Sequence, residues 1–192
     1  MADERWIIVG LGNPGPEYTG TRHNAGAMVL ALLAERMGVR FKAHRTRNDI
    51  AEGRLAGQPA TLARPHSYMN LSGGPVNALL GFYKLSPERL VVIHDELDIS
   101  FGVVRLKLGG GDNGHNGLRS VTSSLGTRDY YRVRFGIGRP PGRMDAAAFV
   151  LKDFSAAERK ELPFAVERCA DAAEALITKG LVEAQNQFHT DP

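Results

Sequence analysis

His23 lies between Arg22 and Asn24 in the segment YTGTRHNAG, just ahead of a helical stretch, and Asp95 closes the apolar run Leu90 to Ile93. A neutral imidazole is a general base near neutral pH. A carboxylate that accepts one of its N–H groups fixes the tautomer and leaves the other nitrogen free to take a proton. A histidine beside a helix start is by default a capping or surface group, so the weight of His23 comes from Asp95, placed at a strand end where it can reach the ring. Around that pair the chain offers amides more than nucleophiles: Asn13 in GLGNPG, Asn70 in SYMN and Asn116 in GHNG. A base, a carboxylate and a ring of amides suit attack by water on an already activated carbonyl such as an ester, without a covalent enzyme intermediate.

Competing chemistries lack their residues. The chain has no G-x-S-x-G elbow, no H-E-x-x-H helix and no carboxylate cluster at metal spacing, and its one cysteine, Cys169, excludes an intrachain disulfide and a cysteine-rich zinc site. Gly10, Gly12 and Gly15 match G-x-G-x-x-G, but Pro14 and Pro16 remove N–H donors where a phosphate-binding helix would begin. The acid about 20 residues further on, Glu35, falls inside a helical stretch rather than at a strand end. The GLGNPG segment reads better as a rigid turn that holds Asn13. Gly109 to Gly114 has the span of a P-loop, with His115 and Asn116 where Lys and Ser or Thr belong. Neither a cofactor nor a metal is expected.

These groups need elements to position them. Short β-branched runs alternate with amphipathic stretches, which predicts an α/β single domain over residues 1–192, with a central twisted mixed, largely parallel sheet flanked by helices. Trp6 to Val9 reads as a buried strand and Ala25 to Met37 as a helix capped by Asn24 and stopped by Gly38. Ile50 to Leu62 reads as a hairpin turning near Ala56, Gly57 and Gln58. Pro75 suits the first position of a helix through Lys84, and Leu90 to Ile93 forms the strand that ends in His94 and Asp95. Val103 to Leu108 and Tyr131 to Ile137 supply two more strands, with a helix from Leu118 to Ser124 between them. Val166, Cys169, Ala170, Ala173, Leu176 and Ile177 mark one face of a C-terminal helix, near whose start Pro163 is expected. No internal repeat or low-complexity linker interrupts this order.

With 192 residues and 43% hydrophobic content the chain can bury a sizeable core. The net charge of +3 conceals an asymmetry: residues 1–150 carry 19 Lys and Arg against 13 Asp and Glu, and residues 151–192 carry 5 against 8. A basic body suits a polyanionic partner. No apolar run approaches the roughly 18 residues of a membrane span, and the N-terminus, with two acids ahead of a short apolar run, does not resemble a leader, so a cytoplasmic location is expected. With no heptad run or obvious extra interface, a monomer is expected.

Five segments, GLGNPGPEYTGTRHNAG, PHSYMNLSGGPV, HDELDISFG, GGGDNGHNGLRS and RVRFGIGRP, resemble in the same order the signature segments of bacterial-type peptidyl-tRNA hydrolases. The resemblance covers roughly residues 6–150. It implies hydrolysis of the ester between a peptide, or an N-blocked amino acid, and tRNA, which recycles tRNA from prematurely released peptidyl-tRNA. It assigns the general base to His23, its support to Asp95, and the distinction of blocked from free aminoacyl groups to Asn13. Asn70 and Asn116 then match residues that hold substrate and the attacking water, and Tyr18, Tyr68 and Met69 match residues lining the groove for the peptide and the terminal adenosine. Lys107 and Arg134 match positions associated with the phosphate end of tRNA, although solvated charges at a sheet edge would look the same. The chain departs from the family at Asp112 and Asn113, where small or neutral residues are usual before GHNG. Two other classes remain as alternatives: a non-catalytic RNA-binding module, and a nucleotide-dependent enzyme.

Overall fold

Trp6–Gly10 (β1), every residue of it buried, is the central strand of a seven-stranded sheet. The computed structural model describes residues 4–189. Residues 1–3 and 190–192, including Asp3 of the N-terminal reading and both ends of the expected domain, lie outside the described residues. The other strands are Lys42–His44 (β2), Asn48–Leu55 (β3), Gln58–Pro65 (β4), Leu90–Glu96 (β5), Val104–Leu108 (β6) and Tyr131–Gly136 (β7). They are ordered β2-β3-β4-β1-β5-β7-β6. The pairs β4–β1, β1–β5 and β5–β7 are parallel, and the two flanks, β2–β3–β4 and β7–β6, are antiparallel. The sheet is therefore mixed, with a parallel core.

Helices cover both faces because the central strands are apolar on both sides, as buried parallel strands must be. Ile8, Val91, Ile93, Val133 and Phe135 face Ala25–Met37 (α1) and Ala156–Lys179 (α5). Ile7, Val9, Leu90 and Val92 face Gly73–Tyr83 (α2) and Asn116–Leu125 (α3). Burying each such Leu, Ile or Val contributes roughly 1.5–3 kcal/mol. Two short helices, Ala146–Val150 (α4) and Leu181–Phe188 (α6), were not anticipated from the sequence, nor was the edge strand β2. Helix α6 covers the open edge of β6, where Gln185 Nε2 donates to the Leu106 carbonyl (3.0 Å) and His189 Nε2 accepts from the Leu106 amide (2.8 Å).

Some local expectations hold and others need correction. The β3–β4 hairpin turns at Ala56 and Gly57, both at positive φ (49° and 84°), as a tight two-residue turn requires. Asn24 stands at the N-cap position of α1, but its side chain makes no cap bond, while Gly38 ends the helix in the left-handed conformation at φ 69°. Pro75 is the third residue of α2 rather than the first. The helix starts at Gly73, whose amide donates to Ser120 Oγ (2.9 Å) and whose missing Cβ lets α2 lie against the Ser120 carbonyl. Pro163 is well inside α5, not near its start. The helix begins earlier because Ser155 and Glu158 form a complete capping box, which outweighs the single N–H that Pro163 withholds from the ladder.

Candidate active site

The site forms where β1 and β5 end side by side, at the carboxyl edge of the parallel strands. Backbone packs directly on backbone here. A Cβ at Gly26 would overlap the Ile93 carbonyl oxygen, and one at Gly10 would overlap the Gly26 carbonyl oxygen. Only glycine at both positions lets the first turn of α1 descend onto the two strand ends. That descent brings His23, in the 3-10 turn Arg22–Asn24 just before α1, over Asp95 on β5.

The His23 Nδ1–H donates to Asp95 Oδ2 at 2.8 Å, and the two side chains are only 10% and 3% exposed. Among the described residues no partner engages the other ring nitrogen, Nε2. Burial pushes the His23 imidazole down, but the charge and the hydrogen bond of Asp95 outweigh it and leave the group above its ordinary value. Burial acts to raise the Asp95 carboxyl, yet its two histidine neighbours hold it well below the usual carboxylate range. Asp95 is therefore ionised, and His23 must donate from Nδ1.

The second histidine is His115, which in the sequence stands out only as a mismatch to a P-loop. Its Nε2–H donates to Asp95 Oδ1 at 2.8 Å, and its side chain is 7% exposed. It is also the N-cap of α3: Nδ1 accepts from the amides of Gly117 (3.1 Å) and Leu118 (3.2 Å). The signal in the sequence was the position itself, a side chain with an acceptor just before the helix, but histidine is not among the usual capping residues. His23, Asp95 and His115 place three possible metal-ligating atoms within 4.8 Å of one another. The cap argues against coordination, because two amide donors on Nδ1 force the proton of a neutral His115 onto Nε2, the atom that faces Asp95.

His94, adjacent to Asp95 on the opposite face of β5, donates from Nδ1 to the Asp95 carbonyl (2.8 Å). Burial, then repulsion from His115, lowers it to about 3, so it stays neutral.

Asn13 is fixed from both sides. The Asn24 side chain accepts from the Asn13 amide and donates to the Asn13 carbonyl, each at 2.9 Å, so the cap expected of Asn24 is spent on the GLGNPG turn. Asn13 Oδ1 accepts from the Met69 amide at 2.7 Å, which orients its own amide and leaves Nδ2 without a protein partner among the described residues. The short turn Met69–Leu71 buries Met69 and leaves Tyr68 and Asn70 exposed. Tyr18 and Tyr68 meet edge to face at 6.5 Å between ring centroids.

These residues line one cleft of about 430 Å³, into which Asn13, Tyr18, His23, Tyr68, Met69, Asn70, Asp95 and Asn116 all contribute. Part of its lining is apolar, from Ala146, Ala147 and Val150 of α4 and the adjoining Leu151. Lys107 and Arg134 stand apart from this cleft. They lie on β6 and β7, and strand alternation puts both on the face that carries His94. Arg132, between them in register with Lys107, instead clamps the second glycine loop through the carbonyls of Gly110 (2.8 Å) and Gly111 (2.6 Å).

Arg22 is a second residue whose part the sequence did not disclose. Its guanidinium is buried over the Phe149 ring (3.9 Å to the centroid), donates to the Phe149 carbonyl (3.3 Å) and pairs with Glu158 at 2.8 Å. The His23 turn is thereby anchored to α4 and α5. The start of α1 is closed against the glycine loop after β1, with Asn24 bonded to Asn13 and the Ala27 amide donating to the Leu11 carbonyl (3.2 Å), so that helix end is occupied by the loop itself and not presented to a phosphate. No helix among the described residues is long and apolar enough to cross a membrane.

A family model described as peptidyl-tRNA hydrolase matches residues 7–192. The peptidyl-tRNA hydrolase of Frankia alni is 67% identical over 187 residues, covering 97% of this chain and 95% of the relative. That of Streptomyces avermitilis is 60% identical over 195 residues, with 98% and 96% covered. The crystal structure of peptidyl-tRNA hydrolase from Acinetobacter baumannii superposes with a TM-score of 0.90 at 36% identity, over 96% of this chain and 94% of that one. By sequence and by fold alike, the chain belongs to the peptidyl-tRNA hydrolase family of carboxylic ester hydrolases.

Proposed function

We propose that His23 is the general base of this hydrolase and Asp95 the group that holds it. The observation that carries the reading is the 2.8 Å bond from His23 Nδ1 to Asp95, in a ring that lines the cleft and whose Nε2 has no protein partner among the described residues. Nε2 takes a proton from water, and that water attacks the ester carbonyl joining the peptide to the terminal adenosine. The ribose oxygen leaves with the tRNA as a hydroxyl, taking back the proton held on His23 Nε2, and the peptide carboxylate is released. Asn70 and Asn116, at the cleft surface, hold substrate and water, while amide donors stabilise the oxyanion. The donor face of Asn13, fixed by Met69, meets the neutral amide of a blocked aminoacyl group. A charged α-ammonium is itself only a donor and offers the Asn13 amide nothing to bond, so free aminoacyl-tRNA is a poor substrate.

Tyr18, Tyr68 and Met69, which line the cleft together with apolar residues of α4, form the groove for the peptide and the adenosine ring. Lys107 and Arg134 meet the phosphate end of the tRNA. We read residues 1–192 as one domain acting as a monomer in the cytoplasm; the single continuous sheet and the span of the family match support the first part. A deacylation assay tests the whole. N-acetylated aminoacyl-tRNA is cut and the free form spared, a chelator has no effect, and His23→Ala abolishes turnover. Near-normal turnover by that variant, or equal rates on the two substrates, excludes the assignment.

A further inference from the structure

Asp112 and Asn113, just ahead of GHNG in the second glycine loop, sit in a turn of defined geometry. Asp112 accepts the amide of Gly114 on its side chain (3.0 Å) and that of His115 on its carbonyl (2.8 Å), and Asn113 stands at φ 49°. From there the Asn113 amide donates to Glu96 Oε2 at 2.6 Å and also to Asp98, whose other oxygen takes Arg139 Nε at 2.7 Å. Glu96 accepts the Asp98 amide as well (3.4 Å).

Glu96 matters because of what it does not hold. It ends β5 on the face that carries His94, the face shared by Lys107 and Arg134. Among the described residues neither cation has an ion pair or a hydrogen bond, and Arg134 Nε is buried and unpartnered. Burial lowers both groups. Lys107 is lowered further by Arg134 and Arg132, and Arg134 by Arg105 and Arg132, while Glu96 is the carboxylate whose charge opposes this on each. Swung toward the pair, Glu96 would neutralise it.

We propose that Asn113 is a positioning residue for phosphate recognition: by occupying Glu96 it keeps that carboxylate off Lys107 and Arg134, so the cation pair stays open to the phosphate of the tRNA. The inference rests on the reading of Lys107 and Arg134 given above. Asn113 borders the catalytic cleft, but its amide is engaged by Glu96 and Asp98, so it acts through where the Glu96 charge points.

The test uses N-acetylated aminoacyl-tRNA with a 5′-phosphate and the same RNA with a 5′-hydroxyl. Asn113→Gly suits the positive φ and removes only the amide. It raises KM for the phosphorylated substrate by about threefold, the scale of one surface charge pair, and leaves KM for the 5′-hydroxyl form where the wild type has it. Glu96→Gln in the Asn113→Gly background restores KM, which a merely loosened loop would not allow. An unchanged KM, an equal rise on both substrates, or no rescue overturns the proposal. Arg134→Ala separates the two layers. If it does not distinguish the substrates, the phosphate reading itself fails; if it does and Asn113→Gly does not, that reading stands and the role of Asn113 is lost.

Discussion

His115 donates to the one oxygen of Asp95 that His23 leaves unused, 2.8 Å away, while its other nitrogen caps α3. Asp95 is thus shared between two imidazoles and cannot serve both fully. Removing the His115 donor concentrates the carboxylate charge on His23 and raises the imidazole further. Since a general base must be unprotonated, the acid limb of kcat/KM in His115→Ala moves to higher pH. The lost cap also costs about 1 kcal/mol of stability, readable in a denaturant titration.

In the wild type the sign is already set. His23 lies above its ordinary value near 6.5, so activity falls as pH drops through a point above 6.5. Asp95→Asn removes the cause and lowers that inflection. It also loosens the ring, so the plateau rate drops by about 10²–10⁴, the usual scale for losing a positioned base. A pH profile of kcat/KM for both proteins checks the pair; an acid limb that does not move separates Asp95 from the titrating group.

Gly26→Ala drives a methyl group into the Ile93 carbonyl at the strand end that carries Asp95. Overpacking of this kind costs about 1–3 kcal/mol, and the remedy open to the chain, a lifted α1, withdraws His23 from Asp95. Turnover should fall well beyond what the thermal shift alone explains. A variant that loses stability but keeps kcat would show that the helix start need not be seated so closely.

Glu158 serves two ends at once, accepting from Arg22 and from the Ser155 amide of its own capping box. Glu158→Ala leaves the buried Arg22 guanidinium without its counter-charge, a loss of about 3–5 kcal/mol where a buried pair is broken. Glu158 is about a fifth exposed, so the lower part of that range applies. The expected result is a lower Tm and a reduced kcat with KM little altered, since the anchored turn carries His23 and not the tRNA contacts.

Much of this was legible in order along the chain. Apolar runs such as Leu90 to Ile93 can only be buried strands in a chain of this composition, and Gly38 after a periodic stretch can only be a stop. Pro163 shows the limit of such local reasoning: one missing N–H predicts a helix start, and a capping box upstream overrules it. His23 and Asp95 were recognisable by type because few residues can act as a base and its support. Their distance was not, because it depends on two glycines letting α1 rest on the ends of β1 and β5.

The residue types therefore determined the class of fold and the chemistry available: a base, a carboxylate, amides and no rival nucleophile. Only the tertiary structure decided which groups share a charge. His115 with Asp95, Arg22 with Glu158, and Asn113 with Glu96 are separated by 20, 136 and 17 residues. Hydrogen bonds reach about 3 Å, and no periodicity in the chain reports a distance that short between segments that meet only when the sheet closes its order.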